Sequence, residues 1–304
     1  MYIDGVFSGG GVKGIALVGA LQAVEDRGLQ FKRTAGTSAG ALIAALITAG
    51  YKGDEIEAIL LDTNLKALLD RKPGFTFPLM RWLMLYWKLG LYSGKDLEKW
   101  VHGLLKKKGI ETFGDIEEGS LKIIASDITR GRLIVIPDDL EQYGFVPEQF
   151  SIAKAVRMSA GLPFFFKPHP LYTIDGKKHL IVDGGILSNF PLWVFKPQES
   201  NKQLRPVLGF QLSASFDKIP GHKIKNAIEL YQALFETMKE AHDARYIEKQ
   251  KAQNIVFIPI KQGITTDFSL ERQEQKKLIS FGRERTEQFL RKWRKLPESV
   301  RFNR

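Results

Sequence analysis

Two glycine-rich turns near the N-terminus place the strongest constraint on what this chain can fold into. Residues 9–14 read GGGVKG and follow an apolar segment, 2–7, that predicts a buried strand. Residues 36–40 read GTSAG and follow a second predicted strand at 31–37. Each turn leads into a hydrophobic segment with helical spacing. Two successive strand–turn–helix units indicate an α/β fold whose first two strands are parallel neighbours.

The rest of the chain continues the alternation of strands and helices. Hydrophobic periodicity predicts helices at 12–27, at 38–51, from Asp54 onward, at about 222–250 and at 271–296, and strands at 121–126, 132–136, 179–182, 206–212 and 255–258. No linker rich in proline, glycine or serine divides the 304 residues. We therefore predict one α/β domain over residues 1–304, a three-layer αβα arrangement with a largely parallel central sheet and the C-terminal helices packed on it.

The first turn matches the dinucleotide-binding pattern G-x-G-x-x-G, but the residues around it do not support a nucleotide site. Such a site needs an acidic residue at the end of the second strand to bind the ribose hydroxyls. The second strand here reads FKRTAGTS, and Glu25 and Asp26 lie in the preceding helix. A phosphate-binding P-loop needs serine or threonine directly after its lysine, whereas Lys13 is followed by Gly14. Binding of an oxyanion is the remaining interpretation.

The second turn has the G-x-S-x-G form that presents a serine nucleophile between a strand and a helix. Gly36 and Gly40 leave room for a sharp turn, and Ser38 would stand at the helix N-terminus, where N–H groups favour negative charge. A plain N-capping serine is the alternative interpretation. Because a serine nucleophile produces a tetrahedral oxyanion that backbone N–H groups stabilise, we expect residues 9–11 to form the oxyanion hole.

A base for Ser38 is the next requirement. The chain has five histidines, and none lies in a conspicuous glycine turn: His102, His169, His179, His222 and His242. The segment HLIVDGGILSNFP, at 179–191, instead ends an apolar strand with Asp183 followed by two glycines. This aspartate is either a turn residue or an acid presented to a partner.

Four segments, in order along the chain, resemble those of patatin-like phospholipases, a family of lipid acyl hydrolases. They are SGGGVKG, AGTSAG, RMSAGLPFFFKP and VDGGILSNFP, and IIASDITRGRLIVI is similar to a fifth family segment. Together they extend from residue 3 to about residue 195. The resemblance implies a patatin-like fold of the modified α/β-hydrolase type and a serine–aspartate dyad, with Ser38 as nucleophile and Asp183 as its base.

The resemblance also implies roles for the residues around the dyad. The backbone donors to the oxyanion would be Gly9, Gly10 and Gly11. The loops would be supported by Lys13, Gly14, Gly36, Gly40, Gly184 and Gly185. The pocket wall would be shaped by Ser159, Ala160, Gly161 and Pro163, and the turn after Asp183 would be formed by Asn189 and Pro191. Lys13 stands where many members carry arginine, so the charge is kept but the planar fork of donors is lost. A structural lysine that supports the loop is the alternative.

The implied reaction is hydrolysis of a carboxylic ester through an acyl-enzyme, without a metal or cofactor. A free aspartate is a weak base, so Asp183 must lie close to Ser38 and partly out of water. Two alternatives stay open. One is a non-catalytic lipid- or acyl-chain-binding protein on the same fold. The other is a conventional Ser-His-Asp hydrolase, for which only His222 and His242 follow Asp183.

Charge and aromatic content bear on the surroundings of the protein. The formal net charge is +11. The basic segment 283–304 has two interpretations: it steers the chain into transient contact with an anionic membrane surface, or it forms a solvated helix face. The aromatic segment 73–92 is either an interfacial lid or a helix over the core. No nucleic-acid-binding motif, signal peptide, cysteine or membrane-spanning segment is visible. We expect a cytoplasmic protein, peripheral at the membrane at most, whose partner is a lipid or phospholipid ester.

Overall fold

The computed structural model describes residues 1–70, 87, 89–195, 205–213, 224, 230, 233–234, 237–238, 252–260, 268 and 270–293. Almost all of the predicted helix at 222–250 and most of the aromatic segment at 73–92 lie outside these residues, as do residues 294–304.

Strands and helices are numbered here in chain order. The strands are β1 (Tyr2–Phe7), β2 (Gln30–Thr37), β3 (Gly90–Tyr92), β4 (Leu121–Asp127), β5 (Arg132–Ile136), β6 (Phe164–Phe166), β7 (His169–Tyr172), β8 (Lys178–Asp183), β9 (Val207–Ser213) and β10 (Ile255–Pro259). The helices are α1 (Ala16–Asp26), α2 (Ala39–Thr48), α3 (Gly53–Asp62), α4 (Lys95–Lys107), α5 (Ile152–Ser159) and α6 (Arg272–Lys292).

One central sheet organises the fold. Its strands lie in the order β10–β9–β1–β2–β4–β8–β7, and β5 pairs with β4 off this path. The strands from β10 to β4 run parallel to their neighbours, whereas β8 is antiparallel to both β4 and β7. Helices flank the sheet. The structure therefore confirms the α/β class, the largely parallel central sheet and the parallel pairing of the first two strands, while the single domain over residues 1–304 stays a prediction.

Three short strands were not predicted from the sequence. β3 and β6 form a separate two-stranded parallel sheet, and β7 pairs antiparallel with β8. Strands of three or four residues are too short to show a recognisable alternation of polar and apolar side chains. The predicted helix at 12–27 is also shorter than expected: it begins as a 3-10 turn, Gly11–Ile15, and becomes α-helical only from Ala16.

The C-terminal helix α6 crosses α1 in direct backbone contact. A Cβ on Gly19 would lie 1.8 Å from the carbonyl oxygen of Ile279, and a Cβ on Gly282 would lie 1.9 Å from that of Ala16. Both distances exclude any side chain larger than hydrogen. The crossing packs α6 directly against α1. The turn Gly11–Ile15, which belongs to the first glycine turn, leads directly into the N-terminus of α1.

Candidate active site

The segments that carry Ser38 and Asp183 meet because β2 and β8 share one edge of β4. β2 pairs with the first part of β4 and ends with Thr37 opposite Ile124. β8 runs in the opposite direction and ends with Asp183 opposite Ala125. β5 pairs with residues 123–127 of β4, which overlap both of these pairings. β5 therefore lies along the opposite edge of β4 from β2 and β8. Ser38, the residue after Thr37, therefore faces the end of β8, and both Ser38 and Asp183 line one cleft.

Ser38 occupies a strained turn between β2 and α2. Its φ is 54° and its ψ is −122°, a combination that residues other than glycine rarely adopt. It stands at the N-cap position of α2, yet its side chain makes no capping hydrogen bond. The simple role of an N-capping serine therefore does not account for Ser38 at this position.

Glycines permit the close contacts on which this turn depends. A Cβ on Gly36 would lie 2.2 Å from the carbonyl oxygen of Gly40, and a Cβ on Gly40 would lie 2.3 Å from that of Phe7. A Cβ on Gly14 would lie 2.4 Å from the Cβ of Ala39. Because two of the three neighbours are backbone atoms, a side chain at Gly36 or Gly40 would force the turn apart.

A second serine, Ser159, holds the backbone of the turn at Ser38. The Oγ of Ser159 accepts a hydrogen bond from the N–H of Ser38 at 2.9 Å and donates one to the carbonyl oxygen of Ile124 at 2.6 Å. Ser159 is fully buried, while its neighbour Ala160 lines the cleft. The sequence placed Ser159 in the pocket wall. Its positioning contact was missed because a motif such as RMSAGLP does not reveal which backbone groups it will meet.

The first glycine turn passes directly beside Ser38. A Cβ on Gly9 would lie 3.1 Å from the Cβ of Ser38 and 2.5 Å from the Oδ1 of Asn189. The N–H of Gly9 donates to the carbonyl oxygen of Asn189 at 3.0 Å. Gly10 and Gly11 line the cleft, and Gly11 opens a helical turn, whose first N–H groups lack partners within the helix.

Asp183 is held in a second glycine turn. It is only 3% exposed, and its Oδ1 accepts a hydrogen bond from the N–H of Gly185 at 2.7 Å. Its own N–H donates to the carbonyl oxygen of Gly161 at 3.0 Å. A Cβ on Gly184 would lie 2.3 Å from the carbonyl oxygen of Ile124, so the turn can approach β4 only with glycine at that position.

Three other predicted residues lie close to these turns. Lys13 is half-buried within the turn Gly11–Ile15. Pro163 is half-buried just before β6, and Pro191 is buried after Asn189. Each therefore lies in the segment where the sequence placed it.

The cleft is lined almost entirely by apolar groups. It measures about 1050 Å³, including the part that is open to solvent. Its walls come from α2, α3, α4, α5 and β6, with Leu42, Leu60, Trp100, Val156 and Phe166 among the lining residues. Among the described lining residues, the polar side chains are those of Ser38, Asp183 and Asn189, besides the indole of Trp100. The arrangement suits an acyl chain whose ester group lies at the polar end.

The described histidines lie outside the lining of this cleft. His179 is buried, and its Nδ1 lies 2.9 Å from the Oδ2 of Asp127; since a carboxylate only accepts, the ring nitrogen is the donor. The hydroxyl of Tyr143 donates to the same oxygen at 2.9 Å. Burial, followed by the hydrogen bond to Asp127, raises the pKa of Tyr143 to about 12. This cluster is at the end of β8 remote from Asp183.

The other histidines also occupy non-catalytic surroundings or lie outside the description. Burial, and then the charges of Lys154 and Arg157, lower the pKa of His169 to about 4. His102 is partly exposed, and its Nε2 lies 3.6 Å from Glu111. His222 and His242, which the Ser-His-Asp alternative needs, lie outside the described residues.

The described part of the chain offers neither a cluster of metal ligands nor a membrane-spanning helix. Across residues 1–70, 89–195 and the other described stretches, no group of three or more histidine, aspartate or glutamate side chains is placed to hold a metal ion. The helices in these stretches are all too short or too polar to cross a bilayer.

Comparison with known proteins connects this geometry to a family. The profile of the family described as Patatin-like phospholipase matches residues 5–196. The chain is 51% identical over 294 residues to the "Uncharacterized protein YqhO" of Bacillus subtilis (strain 168), which covers 96% of this chain and 99% of that protein. It is 29% identical over 196 residues to the "Probable lipid hydrolase 463L" of Invertebrate iridescent virus 6, covering 62% of this chain and 61% of that protein.

A solved structure shares the fold. The heterodimeric ExoU–SpcU complex of the type III secretion system of Pseudomonas aeruginosa matches with a TM-score of 0.53 and 18% identity. The match covers 96% of this chain and 51% of the other, so the present chain spans about half the length of that protein. At this identity the likeness concerns the fold alone.

Proposed function

Because the chain belongs to the patatin-like phospholipase family, we propose that it is a lipid acyl hydrolase in which Ser38 is the nucleophile and Asp183 its base. The observation that carries this proposal is the junction on β4. There the ends of β2 and β8 bring the two residues to one apolar cleft. The viral relative named as a probable lipid hydrolase supports the same class of reaction.

The first half of the reaction transfers the acyl group to the enzyme. The Oγ of Ser38 attacks the ester carbonyl carbon while its proton passes to the carboxylate of Asp183, and the carbonyl oxygen takes the displaced electron pair. Collapse of this tetrahedral intermediate breaks the bond to the alcohol oxygen. That oxygen receives the proton from Asp183, so the alcohol leaves and Ser38 carries the acyl group.

The second half repeats these steps with water. Asp183 accepts a proton from water as the water oxygen attacks the acyl carbon. Collapse then breaks the bond to the Oγ of Ser38, which recovers its proton from Asp183. The fatty acid leaves, one water is consumed for each ester, and the enzyme returns to its starting state.

Gly10 and Gly11 are the donors that we assign to the oxyanion. The N–H of Gly9 is already donated to Asn189, and that of Ser38 is donated to Ser159. We therefore do not assign Gly9 as an oxyanion donor, although the sequence predicted it to be one. Its role in this proposal is to let the loop pass beside Ser38 without a side chain. Each well-placed oxyanion donor lowers the barrier by about 3 kcal/mol.

The surroundings of Asp183 explain how an aspartate could act without histidine. A carboxylate in water has a pKa of about 4 and is a poor base for a serine hydroxyl. Removal from water disfavours the charged form of such a group and so makes it a stronger base. Asp183 is buried, and apolar side chains form the cleft around it. The strained backbone of Ser38 contributes further, because it holds the hydroxyl in one orientation before the substrate arrives.

The cleft also supports a lipid as the substrate. Its walls offer apolar contact along an acyl chain, and its polar groups are gathered at the end where Ser38 and Asp183 lie. Binding of the chain would place the ester at the nucleophile and leave the alcohol portion toward solvent. We therefore propose a phospholipase A-type carboxylic-ester hydrolase, with a lipid or phospholipid ester as substrate.

Hydrolysis of p-nitrophenyl esters with short and long acyl chains tests this proposal. The wild type is compared with Ser38→Ala and Asp183→Asn, each matched for folding by circular dichroism. Ser126→Ala is the control, because Ser126 is a buried serine on β4 outside the cleft lining. We expect turnover in the wild type and the control and none in the two site variants. Absence of wild-type turnover, even with detergent or vesicles, would leave a lipid-binding role instead.

A further inference from the structure

Leu89 and Phe164 share an unusual backbone conformation with the nucleophile. Among the described residues, the non-glycine positions with positive φ are Ser38, Leu89 (57°) and Phe164 (63°). Bulky residues avoid this region because their Cβ crowds the backbone, so such strain persists only where the surrounding structure enforces it. In Leu89 and Phe164 the strained backbone carries large apolar side chains that are 46% and 42% exposed.

The two positions are neighbours at the start of the β3–β6 pair. Leu89 precedes Gly90, and Gly90 of β3 lies opposite Phe164 of β6. The next residues of β6, Phe165 and Phe166, line the cleft. Trp87, two residues before Leu89, is 75% exposed. Trp87, Leu89 and Phe164, here called the outer rim, thus present partly exposed apolar groups beside a strand that lines the cleft.

Basic side chains accompany the outer rim. Lys95 and Lys99 are exposed and lie one turn apart on α4, which begins three residues after β3. In the part of the chain that the structure describes, neither forms an ion pair. Leu97 and Trp100 of the same helix line the cleft, so the helix that carries the two lysines and the strand that carries Phe164 both contribute to its lining. The formal net charge of +11 has the same sign.

We propose that the outer rim inserts into the surface of a bilayer with anionic headgroups, while Lys95 and Lys99 attract those headgroups. Exposed aromatic and leucine side chains gain free energy at the boundary between headgroups and acyl chains, and nearby lysines add electrostatic attraction to anionic lipid. The inference rests on the proposed function, since a lipid ester must pass from an aggregate into the cleft. Backbone strain at two partly exposed apolar side chains fits a surface that becomes covered on docking.

Vesicle flotation tests the proposal without requiring hydrolysis. The parent protein carries Ser38→Ala, so binding is measured whether or not the chain is an esterase. The vesicles contain phosphatidylcholine with about a third phosphatidylglycerol, or phosphatidylcholine alone. The double substitution Leu89→Asn and Phe164→Asn removes the apolar groups while keeping a residue type that tolerates positive φ. Ile174→Asn is the control, because Ile174 is 86% exposed in the hairpin turn at the far end of β8.

We expect the double variant to bind mixed vesicles at least tenfold more weakly than the parent, and Ile174→Asn to bind within twofold of it. The thermal midpoint of the double variant is measured alongside, so that weaker binding is judged only on folded protein. Equal binding by the double variant, equal loss in the Ile174→Asn control, or no vesicle binding by the parent would each overturn the proposal. The last result would direct attention to a protein surface as the partner.

A separate pair of double variants tests the contribution of the lysine charges to vesicle binding. Lys95→Gln with Lys99→Gln should weaken binding to the mixed vesicles and leave the weak binding to phosphatidylcholine unchanged. Lys276→Gln with Lys277→Gln removes the same charge from exposed positions on α6 and should have little effect. Equal losses from the two pairs would show that net charge, rather than the outer rim with its adjacent lysines, governs binding, and would contradict the proposal.

Discussion

Two antiparallel neighbours in the sheet, β4 and β8, each end in a buried aspartate. Asp127 closes β4 and Asp183 closes β8, so the two carboxylates lie at opposite ends of the same strand pair. Asp127 accepts hydrogen bonds from His179, Tyr143 and two backbone N–H groups. Asp183 accepts one from Gly185 and lines the cleft with Ser38.

The comparison shows that a buried histidine–aspartate pair does not by itself make an active site. The pair of His179 and Asp127 has the contact expected in a Ser-His-Asp triad. It is nevertheless remote from Ser38, whose turn meets β8 at the other end. Of these two buried aspartates, Asp183 lines the cleft with Ser38, whereas Asp127 lies in a network of hydrogen bonds with His179 and Tyr143.

The largest effect should come from Asp183→Asn. An amide cannot accept the proton of Ser38, so kcat should fall by about 10²–10⁴-fold, the contribution of a positioned general base. The free energy of unfolding should change by less than about 1 kcal/mol, because the amide oxygen can still accept from Gly185. Steady-state kinetics with a soluble ester and urea unfolding measure both quantities. Activity within tenfold of wild type would remove Asp183 from the mechanism.

Asp127→Ala should show the opposite profile. The substitution leaves several buried donors without an acceptor, among them Tyr143 and His179, and should lower the free energy of unfolding by about 3 kcal/mol. Below its unfolding midpoint the variant should keep kcat within about threefold of wild type. Urea unfolding and kinetics at low temperature check the two statements. A selective loss of activity in a stable variant would mean that the cluster around Asp127 serves catalysis.

A buried histidine beside β8 should make the stability of the fold depend on pH. This residue is His169, which lies opposite Ile181 on β8. Burial and two nearby cations lower its pKa to about 4, below the ordinary value of about 6.5, so the unfolded chain takes up the proton first. Stability should therefore fall as the pH drops below about 6.5, by about 2 kcal/mol between pH 7 and pH 5. His169→Gln should flatten this dependence in urea unfolding across that range. An unchanged slope would assign the effect to other groups.

The smallest effect should come from Ser159→Ala. Loss of the hydroxyl removes the hydrogen bonds to Ser38 and Ile124 and should reduce kcat about tenfold through a less well-placed nucleophile. KM should stay nearly constant, because Ser159 lies outside the cleft lining. Ser126→Ala is a matched control, since the hydroxyl of this buried serine has no hydrogen-bond partner in the described part of the chain. Equal losses from both substitutions would show a general packing effect instead.

The sequence predicted the parts of the fold and site that depend on local pattern. The strand–turn–helix units around Gly9–Gly11 and Ser38 follow from apolar periodicity and glycine spacing, and the structure has both. The contacts of Ser159 and the pairing of β3 with β6 were not predictable in this way, because they join residues far apart in the chain. The positive φ of Phe164 also has no local signal, since phenylalanine normally avoids that conformation.

The contact between Gly19 and Gly282 has a consequence for how the protein is made. Ser38 and Asp183 leave the ribosome long before α6, but the face of α1 that carries Gly19 stays uncovered until residue 282 has been synthesised. Because α1 continues from the glycine turn beside Ser38, the support of that turn is completed only after residue 282 has been synthesised. The turn therefore gains this support well after Ser38 and Asp183 have themselves been synthesised.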